Sequence, residues 1–199
     1  MELNRRHFLG AIATSTAGLA APGAFAAVRS SNRPALLSRA MAALDAQGSK
    51  IRHRDLVGLV DFSASSGSPR FQIVSISNGR VLTNRLVAHG RGSDPSNTGW
   101  VQKFSNRPGS NASSPGSYMI GETYYGKHGR SRRLHGLDPE NNMAHSRAIV
   151  IHGANYVSSE MASSSGRVGR SLGCFTVSQR DISGVLAQLG PGSLLFAAR

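Results

Sequence analysis

Hydrophobic positions recur along the chain in two periods. Between Pro34 and Gln47, the residues Leu36, Leu37, Ala40, Met41 and Leu44 share one face of a 3.6-residue repeat, which predicts a helix. Asn32 is placed to cap it, Pro34 suits its first turn, and Gly48 can end it. Strand-like runs follow at Leu56 to Phe62, Arg70 to Ser77 and Arg80 to Ala88, with an Asn78-Gly79 hairpin signal between the last two. These three runs predict a β-meander. Further strands are expected at Ser117 to Glu122, Arg147 to His152 and Ser193 to Ala197, of which Ala148-Ile149-Val150-Ile151 has the continuous apolar character of a fully buried strand. Ser178 followed by Asp181 resembles a capping box and opens a short helix that Gly190-Pro191 stops. The fold class is therefore mainly β with a few short helices.

The periodicity lapses in two places. From His89 to Gly116 the chain is rich in Gly, Ser, Asn and Pro, too long for a plain connection, which predicts a functional loop bordering a cleft. At the other lapse, Met1 to His7 is polar and basic, Phe8 to Ala21 is mildly apolar, and Ala24-Phe25-Ala26 offers a cleavage site, so residues 1–26 are expected to be an export signal. Asn4-Arg5-Arg6-His7-Phe8-Leu9 resembles a twin-arginine signal. Its apolar run is interrupted by Gly, Ser and Thr and falls short of the about 20 apolar residues that span a bilayer. A periplasmic or envelope protein without a transmembrane segment is expected once the signal is removed. Residues 27–53 then form a helical lead-in and residues 54–199 the main domain.

Composition narrows the partners. The chain has 199 residues, 39% of them hydrophobic, which suits one domain with an ordinary core. It carries 23 Lys and Arg against 10 Asp and Glu, a formal net charge of +13. Signal removal takes away only Arg5, Arg6 and Glu2, so the basic excess belongs to the working protein. The arginines are scattered apart from Arg130, Arg132 and Arg133, and export separates the protein from cellular nucleic acid, so no nucleic-acid partner is expected. Anionic lipids, wall polymers and carboxylate-bearing peptides are the partners the envelope offers.

The single cysteine excludes a disulfide framework and a Cys-rich metal site. Cys174 opens one expected strand and His152 ends another. A thiol is a strong nucleophile only as thiolate, and a nearby imidazole that takes its proton supplies that form. Gly153 and Gly173 let backbone approach a reacting carbonyl, and amides near Cys174 could stabilise an oxyanion. By itself the pair is only suggestive, because a lone Cys is more often a small buried residue and a His after a buried strand more often hydrogen-bonds within the core. His89, His128, His135 and His145 raise the question of zinc beside His152, but no His-x-His or H-E-x-x-H spacing occurs, and no metal or cofactor is expected.

A wider set of motifs decides between these readings. Val87-Ala88-His89-Gly90, Phe104-Ser105-Asn106, Gly126-Lys127-His128-Gly129, Leu134-His135-Gly136-Leu137, Arg147 to Ala154 and Gly169-Arg170-Ser171-Leu172-Gly173-Cys174 extend over most of the chain. Together they resemble the L,D-transpeptidase (YkuD-like) catalytic domain of peptidoglycan enzymes, most strongly its murein L,D-transpeptidase branch. The resemblance implies a β-sandwich or barrel domain. It makes Cys174 the nucleophile, His152 the general base that later acts as acid, and Gly153 the source of a carbonyl that orients the imidazole, with Ser171 and Gly173 shaping the Cys turn. The implied substrate is the peptidoglycan stem peptide, held as a thioester on Cys174. The acceptor is then an amine of a neighbouring stem, an amine on an envelope protein, or water.

His89, Arg170 and Tyr156 are the candidates for substrate binding, Arg170 because its planar fork suits a carboxylate. Tyr124 and Tyr125 are read as packing. Three departures stand out: Leu172 replaces a histidine common in relatives, Thr176 stands where Asn or Arg is common, and Phe175 replaces a proline. Leu172 cannot supply a proton, so the opposing expectation is a non-catalytic peptidoglycan-binding pseudoenzyme using the same cleft.

Overall fold

The computed structural model describes residues 34–199, so the expected export signal and the Asn32 cap lie outside the described residues. Helix α1 spans Leu37–Gln47 and begins later than the pattern implied. The Pro34 carbonyl accepts the Leu37 amide at 3.0 Å, so Pro34 belongs to a turn that precedes the helix. Leu36, Leu37, Ala40 and Leu44 are buried, whereas Met41 is exposed because the contacting stripe is narrower than the apolar one.

Strands β1 (His53–Asp61), β2 (Phe71–Ser75) and β3 (Val81–Arg85) form the expected antiparallel meander. Asn78 shapes the β2–β3 turn by accepting the Arg80 amide on its side-chain oxygen at 3.0 Å. Strands β4 (Gly116–Gly126) and β5 (Gly129–Gly136) make a second hairpin. The β5 strand was not expected, because Arg130, Arg132 and Arg133 disguise it as a basic cluster. Arg132 is nevertheless buried, donating to Thr123 Oγ1 at 3.0 Å and to the Leu189 carbonyl.

Strand β6 (Val150–Ala154) starts later than expected, since Ala148 is exposed and has φ 52. Helix α2 (Ser159–Ser165), strand β7 (Phe175–Ser178), helix α3 (Ile182–Gln188) and strand β8 (Ser193–Ala198) complete the chain. Helix α3 starts later than the Ser178 signal implied: Asp181 is its N-cap and makes no side-chain cap bond, and Ser178 instead closes the turn before it. The Ser178 hydroxyl accepts the Asp181 amide at 3.1 Å and donates to the Asp181 carboxylate at 2.7 Å.

All eight strands join one mixed sheet in the order β3-β2-β1-β8-β4-β5-β6-β7. The pairs β1–β8 and β6–β7 are parallel and the others antiparallel. Just past β3, Ala88 bridges Thr176 of β7, so the two ends of the sheet meet in a barrel-like closure. One core lies inside this curl, where Phe62, Phe71, Tyr118, Phe175 and Ile151 pack against Ile182, Val185 and Leu186 of α3. A second core lies on the opposite face, where Leu37, Ala40 and Leu44 of α1 cover Val57, Leu59, Leu194 and Phe196. Strands β1 and β8 are thus buried on both faces, and they hold the sheet that carries β6 and β7.

Candidate active site

The parallel register of β6 and β7 sets His152 opposite Thr176 and leaves Cys174 immediately before β7. The turn that carries Cys174 is fixed from within by Ser171. Its hydroxyl donates to the Cys174 carbonyl at 2.8 Å and accepts the Gly173 amide at 3.1 Å. The turn is also fixed from behind, because the Ser171 amide donates to the His89 carbonyl at 2.9 Å and the Arg91 amide donates to the Ser171 carbonyl at 2.8 Å. Gly173 has φ 117, and a Cβ there would lie 2.7 Å from the Ala112 carbonyl oxygen, so only glycine fits. The Gly173 amide is engaged by Ser171 and is not available to an oxyanion.

Cys174 Sγ donates to the Ala148 carbonyl at 3.6 Å. Burial pushes the thiol up, opposed by the Val150 amide and by the positive charges of Arg147 and Lys127. His152 is 2% exposed. Its Nδ1 lies 3.0 Å from the Gly153 carbonyl, which only accepts, so Nδ1 carries the proton and Nε2 offers the lone pair. Nε2 lies 3.0 Å from Thr176 Oγ1. The His128 ring stacks on His152 at 4.2 Å with 20° between planes. Burial pulls the His152 pKa down, the Gly153 carbonyl opposes this, and His128 and Lys127 reinforce it, so the imidazole is neutral at neutral pH with Nε2 free of a proton.

These groups line a cleft of about 430 Å³ together with Tyr124, Tyr156, Arg170 and Leu172. No carboxylate lines it. Arg147 donates to the Ser105 carbonyl at 2.8 Å and to the Ala112 carbonyl, and Arg170 donates to the carbonyls of Asp94 and Pro95. Those acceptors are neutral, so the cleft keeps the positive field of Lys127, Arg147 and Arg170.

The L,D-transpeptidase catalytic domain matches this sequence over residues 29–198. The chain belongs to that family. Among solved structures, the L,D-transpeptidase from Mycobacterium smegmatis is similar at 13% identity, with a TM-score of 0.45, over 73% of this chain and 59% of that one. L,D-transpeptidase 3 from Mycobacterium tuberculosis, in complex with a faropenem-derived adduct, is similar at 13% identity and a TM-score of 0.46, over 73% of this chain and 60% of that one. The L,D-transpeptidase from Xylanimonas cellulosilytica is similar at 15% identity and a TM-score of 0.42, over 80% of this chain and 69% of that one. The chain thus spans about three-fifths of the length of the two mycobacterial chains. No curated protein is significantly similar to it.

Within this L,D-transpeptidase domain, Cys174, His152, Gly153, Ser171 and Gly173 come together where β7 begins beside β6, with His152 in the middle of β6 rather than at its expected end. Arg170 and Tyr156 also line the cleft. Tyr156 is half-buried and its hydroxyl is held by Thr176. His89 is a correction: it is 0% exposed and lies in the core behind the Cys turn rather than at the cleft. Its Nδ1 accepts from Arg70 at 2.7 Å and its Nε2 faces Asp94 Oδ2 at 3.3 Å. Burial, reinforced by the Arg70 charge, lowers the His89 pKa to about 4. The loop from His89 to Gly116 buttresses the Cys turn and borders a separate cleft of about 620 Å³, lined by Lys103, Phe104, Arg107 and Ala112 among others, rather than the one that holds Cys174.

The remaining histidines do not converge. His135 stacks on His145 at 5.2 Å, apart from the His128–His152 pair. Among the described residues no three metal-ligating side chains come together, and no helix is long and apolar enough to cross a membrane. Sequence reasoning missed Lys127 and His128 as site residues, although their position in Gly126-Lys127-His128-Gly129 marks a hairpin tip. It noted Thr176 only as a departure, not as the partner of His152.

Proposed function

We infer that this protein is an exported cysteine acyltransferase that acts on peptidoglycan stem peptides through a thioester on Cys174. The observation that carries the reading is one cleft holding a buried neutral imidazole and the only thiol, ringed by Lys127, Arg147 and Arg170 with no carboxylate. A stem peptide bears several carboxylates, and this field favours it over a cationic or neutral peptide.

The chemistry divides into two balanced steps. The Cys174 proton passes to His152 Nε2 as sulfur attacks the carbonyl carbon of the stem's diamino acid. The carbon–nitrogen bond to the terminal D-alanine then breaks, and His152 returns the proton to the departing amine. An incoming amine gives its proton to His152, attacks the thioester and releases the Cys174 thiolate, which regains that proton. A stem amine forms a cross-link, an amine on an envelope protein forms an attachment, and water makes the net reaction carboxypeptidation. Gly153 acts by holding Nδ1, and Ser171 and Gly173 act by holding the turn.

Residues 1–26 supply export through the Arg5-Arg6 signal, and residues 54–199 form the catalytic domain behind the lead-in of residues 27–53. The compartment is the periplasm or cell envelope. Intact-mass measurement tests the reading, with the purified protein incubated with a stem tetrapeptide and, separately, with a carbapenem. An adduct on the unmutated protein that is absent from Cys174→Ala is expected. No adduct from either compound, with wall binding retained, makes the protein a pseudoenzyme.

A further inference from the structure

A line of polar groups runs from the cleft wall to the imidazole. Tyr156 Oη lies 3.1 Å from Thr176 Oγ1, and Thr176 Oγ1 lies 3.0 Å from His152 Nε2. What each group can donate fixes the direction of the line. The Gly153 carbonyl takes the Nδ1 proton, so Nε2 must accept. Thr176 has one hydroxyl proton, which goes to Nε2, and its oxygen then accepts from Tyr156.

The line is held at both ends. Thr176 is fully buried and in register with His152 across β6–β7, which keeps its hydroxyl level with the ring. Tyr156 is anchored where the Gly169 amide donates to its carbonyl at 2.7 Å. A Cβ on Gly169 would lie 2.8 Å from the Tyr156 Cβ, so the two segments are in close contact.

We propose that Thr176 and Tyr156 are positioning residues for His152, a hydroxyl relay that donates to Nε2 while Cys174 keeps its proton and reverses when Cys174 gives it up. The inference rests on His152 being the general base. It accounts for the orientation of the thiol, which donates to the Ala148 carbonyl while no hydrogen bond joins it to the imidazole. The site therefore holds a thiol and a neutral imidazole rather than an ion pair. On proton transfer the S–H bond breaks, an N–H bond forms at Nε2, the Thr176 oxygen turns to accept it, and the Thr176 proton turns to Tyr156 Oη, whose own proton turns toward the cleft. The other titratable groups facing His152 are His128 and Lys127 from the β4–β5 hairpin and Cys174 from its own turn, and none of them bonds Nε2.

Thr176→Val keeps the side-chain shape and removes the hydroxyl. The neutral imidazole then loses its donor, so His152 takes up its proton at higher pH when followed by nitrogen NMR. The thiolate becomes easier to form, and Cys174 alkylation by iodoacetamide at neutral pH rises about two- to tenfold, the factor one hydrogen bond is worth. Thr176→Ser restores both readouts, and Tyr156→Phe shifts both the same way by less. An unchanged imidazole titration and alkylation profile in folded Thr176→Val, or a Thr176→Ser variant that behaves like Val, overturns the relay. The functional reading fails separately: a carbapenem adduct that persists in Cys174→Ala sinks it and leaves this titration untouched.

Discussion

The amide of Ser171 donates to the carbonyl of His89 at 2.9 Å, so the turn that carries Cys174 hangs on the backbone of a buried histidine. His89 is in turn fixed by two charges. Arg70 donates to its Nδ1 and to the Val87 carbonyl, and Asp94 faces its Nε2 while accepting from Thr98, Gly99 and Gln102. Burial lowers the Arg70 pKa to about 9 against the opposing pull of Asp61 and Asp94. A charged network inside a small barrel stabilises little by itself, but breaking one member strands the others. Its position behind Ser171 ties that cooperativity to the geometry of the turn that carries Cys174.

A pH dependence of stability follows from His89. In the folded core it stays neutral down to about pH 4, whereas unfolded histidine takes up its proton near 6.5. Between those values the unfolded chain binds more protons, so stability is complete above the upper value and is lost as pH falls toward the lower one, by up to about 3 kcal/mol. The urea midpoint of the wild-type protein should fall across this window more steeply than that of His89→Gln, whose amide can keep both neighbours bonded. Parallel slopes for the two proteins would refute the assignment.

Gly173→Ala tests the turn. The φ of 117 and the 2.7 Å approach to the Ala112 oxygen leave no room for a methyl group. The substitution should cost about 1–3 kcal/mol, the range for a residue forced into such a conformation. Because the strain falls on the residue next to Cys174, the rate of carbapenem adduct formation should drop at least about tenfold, a 1.4 kcal/mol effect on the barrier. Far-UV circular dichroism should stay unchanged, and an unaltered adduct rate would show that the turn is not under this constraint.

The candidate site was legible in the sequence because a lone Cys and a His close to neighbouring strands are chemically distinctive and sit inside a longer motif. The meander was legible because its apolar runs meet at Asn78-Gly79. What was hidden depends on contacts distant in sequence. His89 lies in a polar loop, and its burial depends on Arg70, 19 residues earlier in the chain just before β2, together with Asp94. Strand β5 was concealed because Arg132 turns inward to the Leu189 carbonyl, a partner no local pattern reveals. Helix α2 was concealed by its serines, of which Ser158 caps the Met161 amide at 3.1 Å. Thr176 is an ordinary strand residue until the β6–β7 register sets it against His152.

The two cores should separate stability from chemistry. Leu44 is buried with α1 on the face of the sheet opposite the core that α3 fills. Leu44→Ala should lower stability by about 2–5 kcal/mol, as large-to-small core substitutions do. The alkylation rate of Cys174, measured where the variant is still folded, should match the wild type. A slowed thiol would mean that α1 also sets the geometry of β6 and β7.

The field of the cleft gives the last prediction. Lys127 is exposed at the β4–β5 hairpin tip, lines the cleft, and has no carboxylate partner among the described residues. On the proposed stem-peptide substrate its charge acts through solvent, so the expected contribution is of the size of an exposed ion pair, up to about 1 kcal/mol, or about fivefold in an equilibrium. Lys127→Met should therefore raise KM for a stem tetrapeptide several-fold and change kcat less, since Nε2 and Sγ keep their partners. Salt decides whether charge is the cause. The Debye length falls from about 10 Å at 0.1 M to about 3 Å at 1 M, so the KM values of wild type and variant should converge as salt is added. If the ratio of the two KM values is the same at both salt concentrations, Lys127 acts by shape, and the electrostatic account of substrate choice loses its support.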